Sequence, residues 1–285
     1  MPELPEVETI KNELSPHVVG RCVTGITLFW ERIVRQPSVQ EFCSRITGQR
    51  ITGIQRRGKY LIFGLSSGEL WIVHLKMTGS LIIGGDSAEP PRFTRAIIHL
   101  DNDTSIFFRD PRKFGVMWLA KDTGGIDRQL GPEPLRPDFT SKVLGERLRK
   151  RTAPIKAALI DQKVVAGIGN MYADEALFAA RIHPQRAAGS LSQEEIERLY
   201  KAIQRILRAA IDNKGASVDT YFRPDGTEGT AHFEFKIAHG LGGKDCPVCG
   251  GPIERIVVRN RGTYLCPKCQ VRGGKRGNIE SRRDM

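Results

Sequence analysis

Apolar and polar residues change their rhythm several times along this chain. Leu4, Val7, Ile10 and Leu14 recur at helical spacing. Pro5, Glu6 and Glu8 suit a helix start, because a first-turn proline has no N–H to satisfy and carboxylates favour the positive end of the helix dipole. From 21 to 120 the rhythm shortens to alternation rich in β-branched and aromatic residues. This predicts strands over 22–28, 51–55, 60–65, 70–75, 80–83, 96–100, 105–108 and 115–119. Turns are legible between them at Ser66-Ser67-Gly68, Gly84-Gly85-Asp86 and Asp101-Asn102-Asp103. So many short strands at regular spacing indicate an antiparallel sandwich or barrel.

Residues 131–138, Gly-Pro-Glu-Pro-Leu-Arg-Pro-Asp, hold three prolines and read as a linker between domains. Beyond them the pattern turns helical. Two short helical stretches lie between Lys156 and Ala180, interrupted by Val165-Ala166-Gly167-Ile168-Gly169-Asn170. Ser192-Gln193-Glu194-Glu195 is a capping box, and the helix it opens carries Ile196, Leu199, Ile203, Leu207 and Ala210 on one face before stopping near Gly215. Residues 215–230 are rich in Gly, Ser, Thr and Asp and predict a mobile loop of the kind that covers ligands. No Gly-rich phosphate loop joins a strand to a helix, so no nucleotide cofactor is expected.

Charge narrows the partner. Among 285 residues, 44 Lys and Arg oppose 32 Asp and Glu, a net +12 that points to a polyanion, with nucleic acid the first candidate. Glu3, Glu6 and Glu8 stand where a signal peptide would be apolar, and no run approaches the roughly 20 apolar residues that span a bilayer. The expectation is a soluble, cytoplasmic protein with no membrane partner. Of six cysteines, Cys22 and Cys43 stand alone in apolar surroundings and read as small core residues. Cys246, Cys249, Cys266 and Cys269 form C-x2-C-x16-C-x2-C, whose paired thiolates suit one tetrahedral zinc ion. Four sulfurs leave no open coordination position, so the role is structural. Strands over 253–258 and 262–265 would flank a tip, Arg259-Asn260-Arg261, that presents arginines as a phosphate contact requires.

The chain start carries candidate chemistry. Loss of Met1 would leave Pro2 with a free secondary amine, with Glu3 and Glu6 close behind. A generic α-amino group is roughly a tenth neutral at pH 7, far more than a lysine. A secondary amine also condenses with an aldehyde to a permanently cationic iminium, a strong electron sink for elimination.

Together these residues resemble the formamidopyrimidine-DNA glycosylase family from Pro2 to about Gln270. The resemblance rests on Pro-Glu-Leu-Pro-Glu-Val-Glu at the start, Arg-Gly-Lys-Tyr at 57–60, His-Leu-Lys-Met-Thr-Gly-Ser-Leu at 74–81, Asp-Pro-Arg-Lys-Phe-Gly at 110–115, Gly-Ile-Gly-Asn-Met-Tyr-Ala at 167–173, and the four-cysteine hairpin. It implies a two-lobed α+β fold: an N-terminal antiparallel β-sandwich with an N-terminal helix over 1–130, a helix–two-turn–helix domain over 139–235, a zinc β-hairpin finger over 236–270 and a basic, disordered tail over 271–285. It implies excision of oxidised purines from double-stranded DNA by a monomer, followed by strand cleavage. Pro2 would attack C1′ of the damaged nucleotide, Glu3 would act as general acid/base at the sugar, and Glu6 would hold the N-terminal region. Lys59 would contact a phosphate beside the lesion. Met77, Arg112 and Phe114 would fill the space vacated by the extruded base, Asn170 and Arg261 would meet phosphates around the kink, and Lys156 resembles a family lysine near the lesion phosphates.

Some positions depart from the family pattern. The loop 215–221 lacks the basic residue that many members carry over the extruded purine, leaving Ser217 and Thr220 as its hydrogen-bonding candidates, and His239 stands where a tyrosine is expected. Two alternatives remain at this level. An endonuclease VIII-type glycosylase for oxidised pyrimidines is disfavoured by Leu4, where that branch carries glycine. A zinc-finger DNA-binding protein without activity is disfavoured by the intact Pro2, Glu3, Glu6 and Lys59.

Overall fold

The computed structural model describes residues 1–85, 87–218, 221–237 and 242–272. Asp86, Thr220, His239 and the tail from 273 onward lie outside the described residues. Helix α1 (Leu4–Val18) opens the chain, with Pro5 one residue inside it. Strands β1 (Val23–Leu28) and β2 (Val34–Gln36), helix α2 (Val39–Ile46), and strands β3 (Ile51–Arg57), β4 (Tyr60–Leu65), β5 (Leu70–His74), β6 (Ser80–Gly85), β7 (Thr94–Leu100), β8 (Thr104–Arg109) and β9 (Val116–Ala120) follow. All eight strands expected from alternation are present. The pattern misses β2, too short to show a period, and α2, which buries only Phe42 and Ile46.

Strands β1-β7-β8-β6 form one sheet and β2-β9-β5-β4-β3 the other. Described neighbours are antiparallel except β2 and β9, which run parallel. Ile98, Ile106 and Phe108 from the first sheet share a core with Leu61, Phe63, Trp71, Val73 and Met117 from the second. Truncating one such residue to alanine costs about 2–5 kcal/mol.

Helix α3 (Gly124–Asp127) stays with the sandwich, where Ile126 packs against Ile62 and Ile72, and the second lobe contains α4 (Ser141–Leu148), α5 (Ile155–Ile160), α6 (Asn170–Ala179) and α7 (Gln193–Asp212). The capping box forms as read: Ser192 Oγ accepts from Glu195 N at 3.3 Å and Glu195 Oε2 accepts from Ser192 N at 2.9 Å. The predicted apolar face of α7 is buried in the helical core.

Helix α1 belongs to both lobes. Leu4 sits in the helical core, whereas Val7, Ile10, Leu14 and Val18 sit in the sandwich core. One apolar stripe thus fastens two cores and places the chain start at their junction. The proline-rich segment is packed rather than a free tether. Glu133 is buried, accepts from Gly58 N at 2.5 Å and pairs with Arg56 at 2.7 Å.

The loop expected to be mobile is tied down where it is described. Arg223 makes a two-pronged ion pair with Glu13 of α1 at 2.8 and 3.1 Å, and Ile83 N donates to the Pro224 carbonyl at 2.8 Å. Tyr221 is buried in the sandwich core. In the finger, β10 (Glu254–Val258) pairs with β11 (Arg261–Leu265). Only Arg259 and Asn260 form its turn, both at positive φ (48° and 61°), so Arg261 begins a strand instead of sitting at the tip. No described helix is long and apolar enough to cross a membrane.

Candidate active site

Pro2 and Glu3 are buried at the lobe junction, directly before α1. The Glu3 carboxylate accepts the backbone N–H of Gly169 at 2.6 Å and of Met171 at 3.0 Å. Both donors belong to the exposed N–H groups at the start of α6, where the helix dipole is positive. Two glycines make this approach possible. Gly167 lies at φ +84° against the Leu4 side chain and its carbonyl accepts from Leu4 N at 2.9 Å; a Cβ at Gly169 would collide with the Glu3 carboxylate. The interruption between the two short helices is therefore the cradle for the chain start.

Glu6 closes the same nook. Its Oε2 accepts from Glu3 N at 2.7 Å, and its Oε1 accepts from Tyr172 Oη at 2.6 Å and Ala216 N at 2.9 Å. Burial, and then the neighbouring Glu3, push its carboxyl above the usual carboxylate range. Glu6 thereby joins α1, α6 and the base of the loop after α7.

Lys59 stands at the end of the β3–β4 turn, buried, with no hydrogen bond or ion pair among the described residues. Burial pushes its ammonium below the ordinary lysine value, Glu3 and Glu6 hold it up, and Arg261 lowers it again. The cationic finger strand thus reaches the same field as the acidic chain start. A buried ammonium with no partner among the described residues is costly unless an opposite charge joins it.

Met77 and Phe114 are exposed at 37% and 48%, unusual for large apolar side chains, and Arg112 is exposed beside them. Arg112 stacks its guanidinium over Phe114 at 5.2 Å. Sequence reasoning gave no role to Asp110, yet this buried carboxylate knots both loops together. It accepts from Thr78 Oγ1, from Arg112 N at 3.2 Å, and from Phe114 N and Gly115 N at 2.7 Å each. An Asp-Pro turn is a known signal for such side-chain-to-backbone bonding, so this residue was findable. Tyr172 carried no comparable signal.

Two expectations need correction, those for Lys156 and Ser217. Lys156 is fully buried, pairs with Asp174 at 2.8 Å, and donates to Gly262 O at 3.0 Å and Thr263 Oγ1 at 2.8 Å. Its three N–H donors are spent inside the protein, so it is a strut and no phosphate contact. Asn170 is the first residue of α6, half-buried, and donates to the same Gly262 carbonyl at 3.0 Å. Ser217 donates its one hydroxyl proton to the Tyr221 carbonyl at 2.9 Å and accepts from Gly229 N at 2.9 Å, closing the loop on itself. The companion candidate Thr220 lies outside the described residues.

The sulfurs of Cys246, Cys249, Cys266 and Cys269 lie within 4.8 Å of one another. A tetrahedral ion with Zn–S near 2.3 Å needs sulfurs roughly 3.8 Å apart, so the donor set fits zinc. Cys22 and Cys43 stay apart from this cluster, both half-buried.

Three family models match the chain: the formamidopyrimidine-DNA glycosylase N-terminal domain over residues 1–117, the H2TH domain of the same proteins over 130–221, and a zinc finger found in FPG and IleRS over 243–271. A formamidopyrimidine-DNA glycosylase of Symbiobacterium thermophilum is 43% identical, covering 98% of this chain and 96% of the relative. One of Herpetosiphon aurantiacus is also 43% identical, over 95% of this chain and all of the relative. Among solved structures, a Lactococcus lactis FPG mutant bound to Fapy-dG-containing DNA is similar at TM-score 0.89 and 36% identity, over 95% of this chain and all of that one. The MutM (FPG) protein of Thermus thermophilus is similar at TM-score 0.86 and 39% identity, with the same coverage.

Proposed function

Given that this chain belongs to the formamidopyrimidine-DNA glycosylase family, we propose that its Pro2 nitrogen, bared by loss of Met1, is the nucleophile of a reaction on damaged DNA. The protein is a base-excision repair glycosylase and AP lyase whose partner is double-stranded DNA, with one structural zinc held by its four clustered cysteines. The Pro2 amine attacks C1′ of an extruded oxidised purine nucleotide, and the base leaves with the electrons of the glycosidic bond. The nitrogen then loses its proton and its lone pair opens the sugar ring, C1′–O4′ breaking and O4′ taking a proton; the resulting iminium acidifies the 2′ hydrogens, so β-elimination breaks the 3′ C–O bond and δ-elimination the 5′ one. Glu3 takes and returns protons at the sugar, in an orientation set by the two N–H groups of α6. Lys59 and Arg261 meet phosphates beside the lesion. Met77, Arg112 and Phe114 occupy the emptied stack, which offsets part of an unstacking cost of a few kcal/mol. On this reading the enzyme acts at the nucleoid of a prokaryotic cell, as a monomer.

The observation that carries this reading is the convergence of Pro2-Glu3, the positive end of α6 and the unpartnered Lys59 ammonium at one buried junction. Borohydride trapping on a duplex containing 8-oxoguanine tests it. A covalent adduct is expected, and it should vanish in Pro2→Gly while DNA binding persists. An undiminished adduct from Pro2→Gly, or normal turnover by a chain with an acylated N-terminus, would overturn it.

A further inference from the structure

The buried pair Asp174–Lys156 belongs neither to the nook nor to the zinc cluster, and its position is specific. Lys156 comes from α5 and Asp174 from α6, and both side chains are at most 1% exposed. Together they hold consecutive residues of β11. Lys156 donates to Gly262 O and Thr263 Oγ1, while the second Asp174 oxygen accepts from Tyr264 N at 3.2 Å. Asn170 adds a second donor to Gly262 O. Thr263 Oγ1 in turn donates to the Arg261 carbonyl at 3.0 Å. The strand segment that follows Arg261 is thus fixed to the helical lobe by one charge pair and its hydrogen bonds. The opposite end of the finger is fastened separately, by Gln270 donating to Ile182 O at 2.9 Å.

A neutral, apolar contact would fasten the finger equally well, since buried ion pairs are seldom net stabilisers. What a charge pair adds is direction: an ammonium and a carboxylate accept only a narrow set of partner positions. We propose that Asp174 is a positioning residue that, through Lys156, sets the place of Arg261 in reach of Lys59, so that the finger's arginine meets a phosphate at the lesion and not elsewhere. The electrostatic field agrees, because Arg261 acts on both Lys156 and Lys59. Burial pushes the Asp174 carboxyl up to about 7 even with Lys156 opposing, so the pair stands or falls as a unit. Loss of one member leaves its partner desolvated and drives it out of the site.

This inference rests on Arg261 being a phosphate contact, and a double-mutant cycle separates the two. The full zinc-loaded chain is used, with affinity read by titration of a duplex carrying a non-hydrolysable abasic-site analogue. Arg261→Ala alone should weaken binding about tenfold or more, the usual effect of losing a charged hydrogen bond. In the Asp174→Asn background, the same Arg261→Ala change should weaken binding by less than about twofold, because residues acting as one device are not additive. The single-turnover elimination rate at saturating DNA should be unchanged in Asp174→Asn, and zinc content should stay at one ion per chain. Multiplying factors would overturn the proposal and leave the phosphate reading intact. No effect of Arg261→Ala in the wild-type background would overturn both. If Asp174→Asn fails to fold, the combined Asp174→Leu, Lys156→Met chain removes both charges at similar volume, and the same non-additivity with Arg261→Ala is required of it.

Discussion

In the nook at the lobe junction, Glu3, Glu6 and Lys59 are buried, and the two carboxylates are oriented by donors from α6 and the loop after α7. On the loops after β5 and β8, Met77, Arg112 and Phe114 are exposed, and what is buried there is the Asp110 knot that fixes their backbone. The nook fixes side chains; the loops fix main chain and leave side chains free. Under the proposed function, the difference follows from what each would meet. A reacting sugar needs groups already aimed and desolvated, since reorganising them during the reaction would cost rate. A gap in a base stack exists only once DNA has been opened, so its filler must wait in water with its root held firm.

The contrast can be broken most forcefully in the nook. Glu3→Gln should lower the single-turnover excision rate about 10²–10⁴-fold, as expected for loss of an acid/base group, with affinity for an abasic-analogue duplex nearly unchanged. A collapse of affinity instead would make Glu3 a structural brace. Asp110→Ala comes next. It strips partners from four groups and should cost about 3 kcal/mol of stability in urea unfolding, together with most of the loops' share of DNA affinity. Stability equal to wild type would show that the loops hold themselves. The smallest effect belongs to Phe114→Ala. It should weaken lesion-duplex binding by about 1–2 kcal/mol while moving folding stability by less than about 0.5 kcal/mol. A larger stability loss would place Phe114 with the core residues rather than with the waiting ones.

Much of this was legible beforehand wherever the signal is local. The alternation of 22–119 marked eight strands, Ser192 and Glu195 marked a helix start, and two C-x2-C pairs marked a metal site. These features depend on neighbours a few residues away, and spacing along a chain reports such neighbours directly. Lys156 and Ser217 went the other way. Both looked like free polar side chains, and both spend their donors within the protein, on Asp174, Gly262 and Thr263 and on Tyr221.

The sequence by itself determined eight strands of the sandwich, the capped start of α7, the four-sulfur cluster and, through its family motifs, the groups proposed to react. Only the tertiary structure decided which of those groups are aimed at one another. Glu3 meets its donor in Gly169, 166 positions later, and Lys156 meets Gly262 across 106. A residue pattern encodes how often a side chain returns to one face, but carries no record of which distant backbone N–H that face will find. That pairing is settled when Leu4 enters one core and Val7 the other, and the start of the chain is drawn between them.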